Sequence, residues 1–350
     1  MKINRAHCTS IDIRLTDSVP TGAGSISDRG GMRVTIEAGG HTGIGETAPI
    51  PGREGPKLEA LATEISKWCD SASDHTIEEA LDGLDQLDVS RLTRFALHTA
   101  LIDIQARSKD RSVSQWLREG AATRVRVNGL VSEASPAAVH SRARQLVDQG
   151  MTAIKLKVGA VDTSLDITRI VAASEAAGPE TDLRLDANGS WSAETTDRII
   201  GRVGKHRISY IEDPTPDSSE FAALAEEIGV DVAVDLDSEG DPRAAIEAAG
   251  VKIVVLKPAA LGGVDRVIDL ARSFPDHRFV ISSSIHREIG LAAAVHSAAA
   301  LPPTTAGPHG LATGRLVQDM DPTLLDVNGE VRVPAGPGIW NESTVDEFDV

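Results

Sequence analysis

The sequence predicts an α/β protein, a (β/α)7β barrel of parallel strands preceded by a smaller α+β unit. From residue 124 onward, short apolar segments alternate with helix-like stretches, which is typical of βαβ units in a parallel sheet. Seven such units at regular spacing favour a closed barrel over an open sheet. The length of 350 residues suits a barrel of about 200–250 residues with a second unit beside it.

The first unit is expected to cover residues 1–120. RAHCTSIDIRL and MRVTIEAGG alternate apolar and polar residues, as strands do, whereas 18–30 and 48–56 have the composition of loops. Apolar residues then recur at three- and four-residue steps over 57–119, which predicts helices. Strands followed by helices indicate an α+β unit.

The barrel is expected to cover residues 121–319, and the tail 320–350 is expected to pack back onto the first unit, because GEVRVPAGPG again reads as a strand. The eighth barrel strand is expected near 304–310. The predicted barrel strands before it are 124–129, 153–159, 182–189, 208–214, 232–238, 252–258 and 279–284.

Composition excludes several classes of function. A net charge of −17 disfavours nucleic acids and anionic membranes as partners. The two cysteines form no CxxC pattern, which argues against a disulfide framework and a zinc site. No apolar run approaches the roughly 20 residues that span a bilayer, and MKINRAHCTS does not resemble a signal peptide. We therefore expect a cytoplasmic protein, a monomer or a homo-oligomer, and an anionic substrate would require a local cation.

Polar side chains stand where the predicted barrel strands end, which is where barrel enzymes place their catalytic groups. Three of them, Asp186, Glu212 and Asp235, are carboxylates on successive strands and should converge. Carboxylates brought together repel one another unless a cation lies between them. An all-oxygen site suits Mg²⁺, with Mn²⁺ as a substitute.

Lysines occupy the same topological position on two other strands. Lys155 and Lys157 are two residues apart and so point to one face of their strand. A second cation nearby lowers the pKa of a lysine towards the range of a general base. Lys157 is therefore the expected base that removes a proton next to a substrate carboxylate, and the metal would stabilise the resulting enediolate. Lys257 should enter from the opposite side as a further acid, base or cation.

A single Asp or Glu at a strand end is more commonly a helix cap or an ion-pair partner. The functional interpretation rests on five charged residues in equivalent positions on five successive units.

The motifs AIKLKVG, RLDANGSW, YIEDP, DLDS and VLKPAALGG resemble, in order and spacing, those of the muconate-lactonizing-enzyme subgroup of the enolase superfamily. GIGETAP, FALHTALIDIQARS and VPAGPGIW extend the resemblance to nearly the whole chain. It implies a TIM-like barrel with an N-terminal α+β capping domain that the C-terminal tail completes. It also implies that Asp186, Glu212 and Asp235 bind Mg²⁺, that Lys157 is the acid/base with Lys155 beside it, and that Lys257 lies across the substrate.

Within this subgroup, SSS at 282–284, GLAAAVHSAAALP and GLATGRL resemble the o-succinylbenzoate synthase family of menaquinone biosynthesis. The implied reaction is syn-dehydration of 2-succinyl-6-hydroxy-2,4-cyclohexadiene-1-carboxylate. Lys157 would take the α-proton and then protonate the leaving hydroxide on the same face. Lys257 would act as a cation facing the ring that becomes aromatic.

Further substrate contacts are expected from Asn188, Ser282, Ser283 and Ser284. Arg29, in the loop before the second strand, resembles an arginine of some members of the family and is expected to contact the substrate too. The sequence departs from the family where Asp235-Leu236-Asp237 replaces Asp-Glu-Ser, and Asp237 is expected to supply the missing supporting carboxylate. It departs again at IHREIG, after the seventh strand.

The same residues are compatible with other reactions. N-succinylamino acid racemisation would use Lys157 and Lys257 as opposed bases, and muconate cycloisomerisation is also open. A dipeptide epimerase should carry a DxD near the eighth strand, but TTAGPHGLATG has none. Sugar-acid dehydration is disfavoured because Lys257 stands where that subgroup has an Asp. A non-catalytic ligand-binding barrel would not need the base Lys157.

Overall fold

A computed structural model describes residues 1–21, 24–52, 55–159, 162–236, 240–303 and 307–340. The first part of the chain, residues 1–120, contains an antiparallel sheet in the order β1-β4-β5 and a short hairpin of β2 and β3. The strands are β1 (Ile3–Ile13), β2 (Val19–Thr21), β3 (Gly24–Ile26), β4 (Arg29–Ala38) and β5 (His41–Thr47). The hairpin lies within 18–30, where the sequence predicted only a loop; its strands are too short for alternation to reveal them.

In the described part of the chain, four helices follow this sheet, as the three- and four-residue periodicity predicted, and the first and third of them pack against it. They are α1 (Leu58–Ser71), α2 (Ile77–Gly83), α3 (Arg91–Ser108) and α4 (Val113–Leu117). Ser90 caps the start of α3 by accepting a hydrogen bond from the backbone N–H of Thr93. Helix α3 approaches β5 so closely that a Cβ atom added to Gly45 would lie 1.9 Å from the carbonyl oxygen of Ala96. Glycine is therefore required at this crossing.

Among the described residues of the second part, seven strands form a curled parallel sheet in the order β13-β12-β11-β10-β9-β8-β7. These strands, with the short β6 that precedes them, are β6 (Arg124–Arg126), β7 (Gly129–Val131), β8 (Ala153–Lys157), β9 (Asp182–Asp186), β10 (Tyr210–Glu212), β11 (Asp231–Leu236), β12 (Ile253–Leu256) and β13 (Arg278–Ile281).

The helices that alternate with these strands carry the apolar residues that cover the outer face of the sheet. They are α5 (Pro136–Asp148), α6 (Thr163–Ala177), α7 (Ala193–Val203), α8 (Phe221–Ile228), α9 (Pro242–Ala249), α10 (Pro258–Leu261), α11 (Val264–Ser273) and α12 (Glu288–Ala300). Within the described ranges, every helix is too short or too polar to cross a membrane.

The inner face of the sheet has its own small apolar cluster. It consists of Tyr210, Ala233, Ile253, Val255 and Val280, all at most 3% exposed. Because successive side chains of a strand point to opposite faces, these residues share the inner face with the charged residues nearer the carboxyl ends. The cluster fills the space beneath those charged residues.

Residues His309 and Gly310 pair with the chain just before β7 and just after β13, next to the two edge strands of the parallel sheet. His309 makes a parallel bridge to Val127, and Gly310 makes one to Ser282. The N–H of Gly310 donates to the carbonyl oxygen of Ile281 at 2.8 Å, and the carbonyl oxygen of His309 accepts from Asn128 at the same distance. The segment 304–310 was the expected site of an eighth strand; its residues 304–306 lie outside the described residues.

The first predicted barrel strand, 124–129, is wrong in its pairing. Its residues 124–126 form β6, which pairs antiparallel with β14 (Glu330–Arg332), and the parallel sheet begins only at β7. Strand β7 has three residues and starts with Gly129. A Cβ atom added to Gly129 would lie 2.7 Å from the side chain of Leu146. Such a short strand gives almost no periodic signal, whereas the RVRV segment just before it alternates as a longer strand does.

The end of the described chain contacts the helices of the first part. The N–H of Gly338 donates to Arg111, and its carbonyl oxygen accepts from Val113, at 2.8 and 2.9 Å. The N–H of Ile339 donates to the buried carboxylate of Asp103 at 2.8 Å. The tail therefore touches both β6 and the end of α3.

Candidate active site

Four predicted site residues lie in register on three neighbouring strands. Lys157 at the end of β8 pairs with Asp186 at the end of β9, which in turn pairs with Glu212 at the end of β10. Lys155 lies two residues before Lys157 and therefore points the same way. Parallel strands in register thus bring these side chains together at the carboxyl edge of the sheet.

The ammonium group of Lys155 joins two of the carboxylates. Its Nζ donates to Glu212 Oε1 at 2.6 Å and lies 2.8 Å from Asp186 Oδ2. Burial lowers the pKa of Lys155, but the negative charges of Asp186 and Glu212 outweigh burial and raise its pKa well above 10.5. Lys155 therefore stays protonated and acts here as a fixed cation.

Lys157 is the lysine of the pair whose side chain reaches further towards solvent. It is 22% exposed, against 14% for Lys155. Its Nζ donates to Asp186 Oδ2 at 2.7 Å and to Asn188 Oδ1 at 2.9 Å. Asn188 has a φ of 46° and donates its own N–H to Asp186 Oδ1, so a tight turn after β9 presents its side chain to Lys157.

Lys257 and Asp235 form an ion pair on the next two strands of the sheet. Lys257 follows β12 and donates from Nζ to Asp235 Oδ2, and the two side chains are 10% and 6% exposed. The backbone N–H of Asp235 donates to Asp213 Oδ1 at 3.0 Å. Burial raises the pKa of Asp213 well above 3.8, and the charges of Asp235 and Glu212 raise it further.

Among the described residues, two carboxylate oxygens of the site are buried without a hydrogen-bond partner, namely Glu212 Oε2 and Asp235 Oδ1. A buried oxygen without a partner is costly, and a hard cation can satisfy it. Over the described ranges, no three Asp, Glu, His or Cys side chains form a ready-made metal cage. The donor set fits a divalent cation in chemistry and charge, while lysine ammonium groups occupy the other oxygens of Glu212 and Asp235.

The pKa values of the carboxyl groups differ because their partners differ. Burial raises the pKa of Asp186, but the charges and hydrogen bonds of Lys155 and Lys157 outweigh burial and hold it well below 3.8. Burial raises the pKa of Glu212 above its ordinary value, Lys155 offsets part of this, and Asp186 and Asp235 add to the rise. A cation bound beside Glu212 would favour its ionised form.

Three residues that sequence reasoning missed support the site from behind. Arg169 donates to the backbone carbonyl of Lys157 at 2.8 Å and pairs with the buried Asp166. Asp166 also accepts from the N–H of Gly159 and from the indole of Trp191. The third residue, Asp213, lies in the YIEDP motif. Its backbone has a φ of 41°, and its carboxylate accepts a hydrogen bond from the N–H of Asp235, a contact that the motif alone does not predict.

The serines after β13 follow the same edge of the sheet. Ser282 donates its backbone N–H to Leu256 at 2.8 Å, and Ser283 Oγ accepts from the N–H of Ile285. Arg29 is buried, and its guanidinium donates to the backbone carbonyl of Ser284. The structure therefore places Arg29 against this loop. Asp237 lies outside the described residues.

The chain belongs to the Enolase C-terminal domain-like family, whose model matches residues 138–342. This confirms the family that the motifs of the barrel strands resemble.

Curated relatives include o-succinylbenzoate synthases. That of Thermobifida fusca is 34% identical over 219 residues, which cover 60% of this chain and 66% of that protein, just under two thirds. That of Desulfotalea psychrophila is 28% identical over 346 residues, covering 88% of this chain and 93% of that protein. The hydrophobic dipeptide epimerase of Roseobacter litoralis is 29% identical, covering 69% and 72%.

Solved structures share the fold of nearly all of the chain. The dipeptide epimerase of Enterococcus faecalis, solved with Mg and the dipeptide L-Leu-L-Tyr, superposes with a TM-score of 0.85. The superposition covers 97% of this chain and 99% of that one. Because the two sequences are only 20% identical, the similarity shows the fold alone.

Proposed function

We propose that this protein is an o-succinylbenzoate synthase, a lyase that forms the aromatic ring of its product by removing water. The observation that carries the proposal is the placement of Lys157. Its ammonium is 22% exposed and hydrogen-bonded to Asp186, at the same edge of the sheet as two buried carboxylate oxygens that have no hydrogen-bond partner among the described residues. Relatives named o-succinylbenzoate synthase, one of them similar over 88% of the chain, support the choice within the family.

The architecture we propose is a (β/α)7β barrel with a capping domain. Residues 121–319 would form the barrel, closed where His309 and Gly310 bridge both edges of the sheet. Residues 1–120 would form the α+β capping domain. Residues 320–350 would complete it, a view supported by the hydrogen bonds of Gly338 and Ile339 to the first part.

We propose that Asp186, Glu212 and Asp235 hold Mg²⁺, which Mn²⁺ can replace. Their carboxylates are buried or nearly so, and the oxygens Glu212 Oε2 and Asp235 Oδ1, which have no hydrogen-bond partner among the described residues, would bind the cation. When bound, the ion would stabilise negative charge that develops on the substrate carboxylate. It would also offset part of the acidic field, so that a small anionic substrate can approach.

Lys157 would act as the acid/base. Its neutral amine would take the proton from the α-carbon, and the same group, now an ammonium, would give a proton to the leaving hydroxyl on the same face. Asn188 and Asp186 orient its Nζ through their hydrogen bonds. Lys155 would remain charged and hold Asp186 and Glu212 in place.

Lys257 would serve as a fixed cation on the other side of the substrate, where it faces the forming ring. Its hydrogen bond to Asp235 fixes the ammonium at the carboxyl end of β12. Asn188, Ser282, Ser283, Ser284 and Arg29 would border the substrate, and Asp237 would support the metal site. We place the reaction in the cytoplasm, as a step of menaquinone biosynthesis.

A second candidate is racemisation or epimerisation of an amino-acid derivative. The presence of lysines on both sides of the site favours it, since Lys157 and Lys257 could exchange protons with opposite faces of one carbon. The similarity to a dipeptide epimerase over 69% of the chain supports it as well. Such an enzyme would exchange the α-proton of an N-succinylamino acid or a dipeptide with solvent deuterium and leave the cyclohexadiene substrate unchanged.

The decisive experiment incubates the purified protein with the cyclohexadiene substrate and Mg²⁺, with and without EDTA. We expect the diene absorbance to fall only when the metal is present, with formation of o-succinylbenzoate. An unchanged absorbance in both samples would overturn the synthase proposal.

A further inference from the structure

The loop between β13 and α12, residues 282–287, has a backbone that needs support from elsewhere. Ile285 has a φ of 55°, a left-handed conformation that a β-branched residue rarely adopts. Residues 283–286 are all buried. Within the loop, Ser283 Oγ accepts from the N–H of Ile285 at 2.8 Å. One internal hydrogen bond is a small support for a strained, buried turn, so contacts from outside decide its position.

Two side chains of the antiparallel sheet hold this loop by its backbone. Arg29, the first residue of β4, donates to the carbonyl oxygen of Ser284 and, at 2.5 Å, to that of Ile285. Glu46 on β5 accepts the backbone N–H of Arg287 at 2.7 Å through Oε1. Residues of the neighbouring strands β4 and β5 therefore hydrogen-bond to the middle and to the end of the loop.

Burying the carboxyl group of Glu46 costs free energy. It is 0% exposed, and burial raises its pKa to about 7, with Arg33 lowering it and Glu288 raising it further. An apolar residue would avoid the desolvation of a carboxyl group. The carboxyl group lies at the start of α12, where the side chain of Arg287 provides no cap, and it accepts one of the N–H groups there.

We propose that Glu46 is a positioning residue of the active site, which holds the 285–287 backbone so that Ser282–Ser284 keep their place against the substrate. The proposal rests on the proposed function for its catalytic consequence. The structural claim, that Glu46 holds the loop in place through its hydrogen bond to Arg287, does not depend on which reaction the protein catalyses.

The test compares three variants with the parent protein. Glu46→Leu removes the acceptor, Glu46→Asp shortens its reach, and Glu46→Gln keeps an oxygen in the same place. Glu37→Leu is the matched control, because Glu37 lies on the same sheet but is 44% exposed and pairs with Arg5. For each, kcat and KM for the cyclohexadiene substrate and hydrogen exchange of a peptide covering 282–290 are measured.

We expect Glu46→Leu and Glu46→Asp to lower kcat/KM by about 10-fold or more, mainly through KM, because a displaced loop weakens substrate binding before it affects Lys157. Exchange of the 282–290 peptide should rise about 10-fold, while the peptides of β8 and β9 stay as in the parent. Glu46→Gln should recover most of both quantities.

Unchanged exchange of 282–290 in Glu46→Leu would overturn the proposal, as would equal losses in Glu46→Gln and Glu46→Leu. If Glu46→Leu does not fold, Glu46→Asp and Glu46→Gln decide by the same two measurements. A parent protein that does not turn over the substrate contradicts the proposed function, and hydrogen exchange still decides whether Glu46 holds the loop.

Discussion

Lys257 and Asp235 form a buried ion pair across neighbouring strands, yet one oxygen of Asp235 has no hydrogen-bond partner among the described residues. The ammonium of Lys257 satisfies Oδ2 and leaves Oδ1 available. A carboxylate arranged in this way can bind a lysine and a divalent cation together. This arrangement is how lysines and the proposed metal ligands could share one face of the sheet.

Lys157→Ala should abolish turnover. Removing a general base costs about 100- to 10,000-fold in kcat, and we expect a loss at the upper end because one group acts as both base and acid. The measurement is the decay of diene absorbance under saturating substrate. Lys252→Ala, at an exposed lysine just before β12, is the control and should retain full activity. Turnover that survives Lys157→Ala contradicts the proton-abstraction mechanism.

Lys257 separates dehydration from racemisation. In a dehydration, Lys257 supplies only charge, so Lys257→Arg should retain roughly a tenth or more of the kcat, whereas Lys257→Met should lose about 100-fold or more. In a racemase, Lys257 must exchange protons, and arginine, whose pKa exceeds about 12, cannot do so. Equal loss of activity in both variants would favour the racemase.

Binding of Mg²⁺ should stabilise the folded protein. A cation that binds the native state at 100 times its dissociation constant adds about 2.7 kcal/mol to the free energy of unfolding. The measurement is thermal unfolding in Mg²⁺ and in EDTA. Glu212→Gln should remove most of the difference, while Glu194→Gln, at a side chain that is 84% exposed, should keep it. A melting temperature of the parent that is the same in Mg²⁺ and EDTA argues against the metal site.

His98 should make stability depend on pH. Burial lowers its pKa to about 4 from an ordinary 6.5, with Asp265 raising it and Arg94 lowering it. Between these values the unfolded chain binds a proton that the folded chain does not, so stability is lost as pH falls from 6.5 to 4. The loss is at most about 3 kcal/mol.

Buried carboxyl groups with raised pKa values, such as Glu46, act in the opposite direction, so the effect is measured as a difference. We expect the urea stability of His98→Asn to decline less than that of the parent between pH 7 and pH 5. His140→Asn, at an exposed histidine, serves as the control. Parallel curves for His98→Asn and the parent would show that His98 is protonated alike in both states.

Gly45→Ala should destabilise the fold without touching the site. Its new Cβ would overlap the carbonyl oxygen of Ala96, and overpacking of this kind costs about 1–3 kcal/mol or more. Gly201→Ala is the matched control, because Gly201 lies in the exposed face of α7 with nothing within 4 Å, so it should gain about 0.5–1 kcal/mol. Urea unfolding measures both variants. A neutral Gly45→Ala would mean that α3 can move away from β5.

The positions of the charged residues at the strand ends could be predicted because they depend on short-range rules. Alternation along a strand places Lys155 and Lys157 on one face, and parallel register aligns Lys157, Asp186 and Glu212. The hydrogen bond between Arg169 and the carbonyl of Lys157 follows from no local rule, because it joins a helix to the strand before it.

Long-range pairings account for what the sequence did not reveal. The residues of β6 look like a barrel strand by themselves, and only the distant β14 shows that they pair antiparallel. Arg29 was predicted as a substrate contact, whereas its hydrogen bonds to Ser284 and Ile285 depend on how two sheets pack. Neither pairing produces a periodic pattern in the sequence.

The pairing of Arg126 with Glu330 also has a consequence for the order of events during synthesis. At about 5–20 residues per second, the ribosome needs on the order of ten seconds or more to deliver the second strand after the first. Until then β6 has an unpaired edge, and Asp103 lacks the N–H of Ile339. The nascent chain therefore carries β6 without its partner strand through more than half of its translation, while Arg107 and the N–H of Ile44 are the partners of Asp103 that are already synthesised.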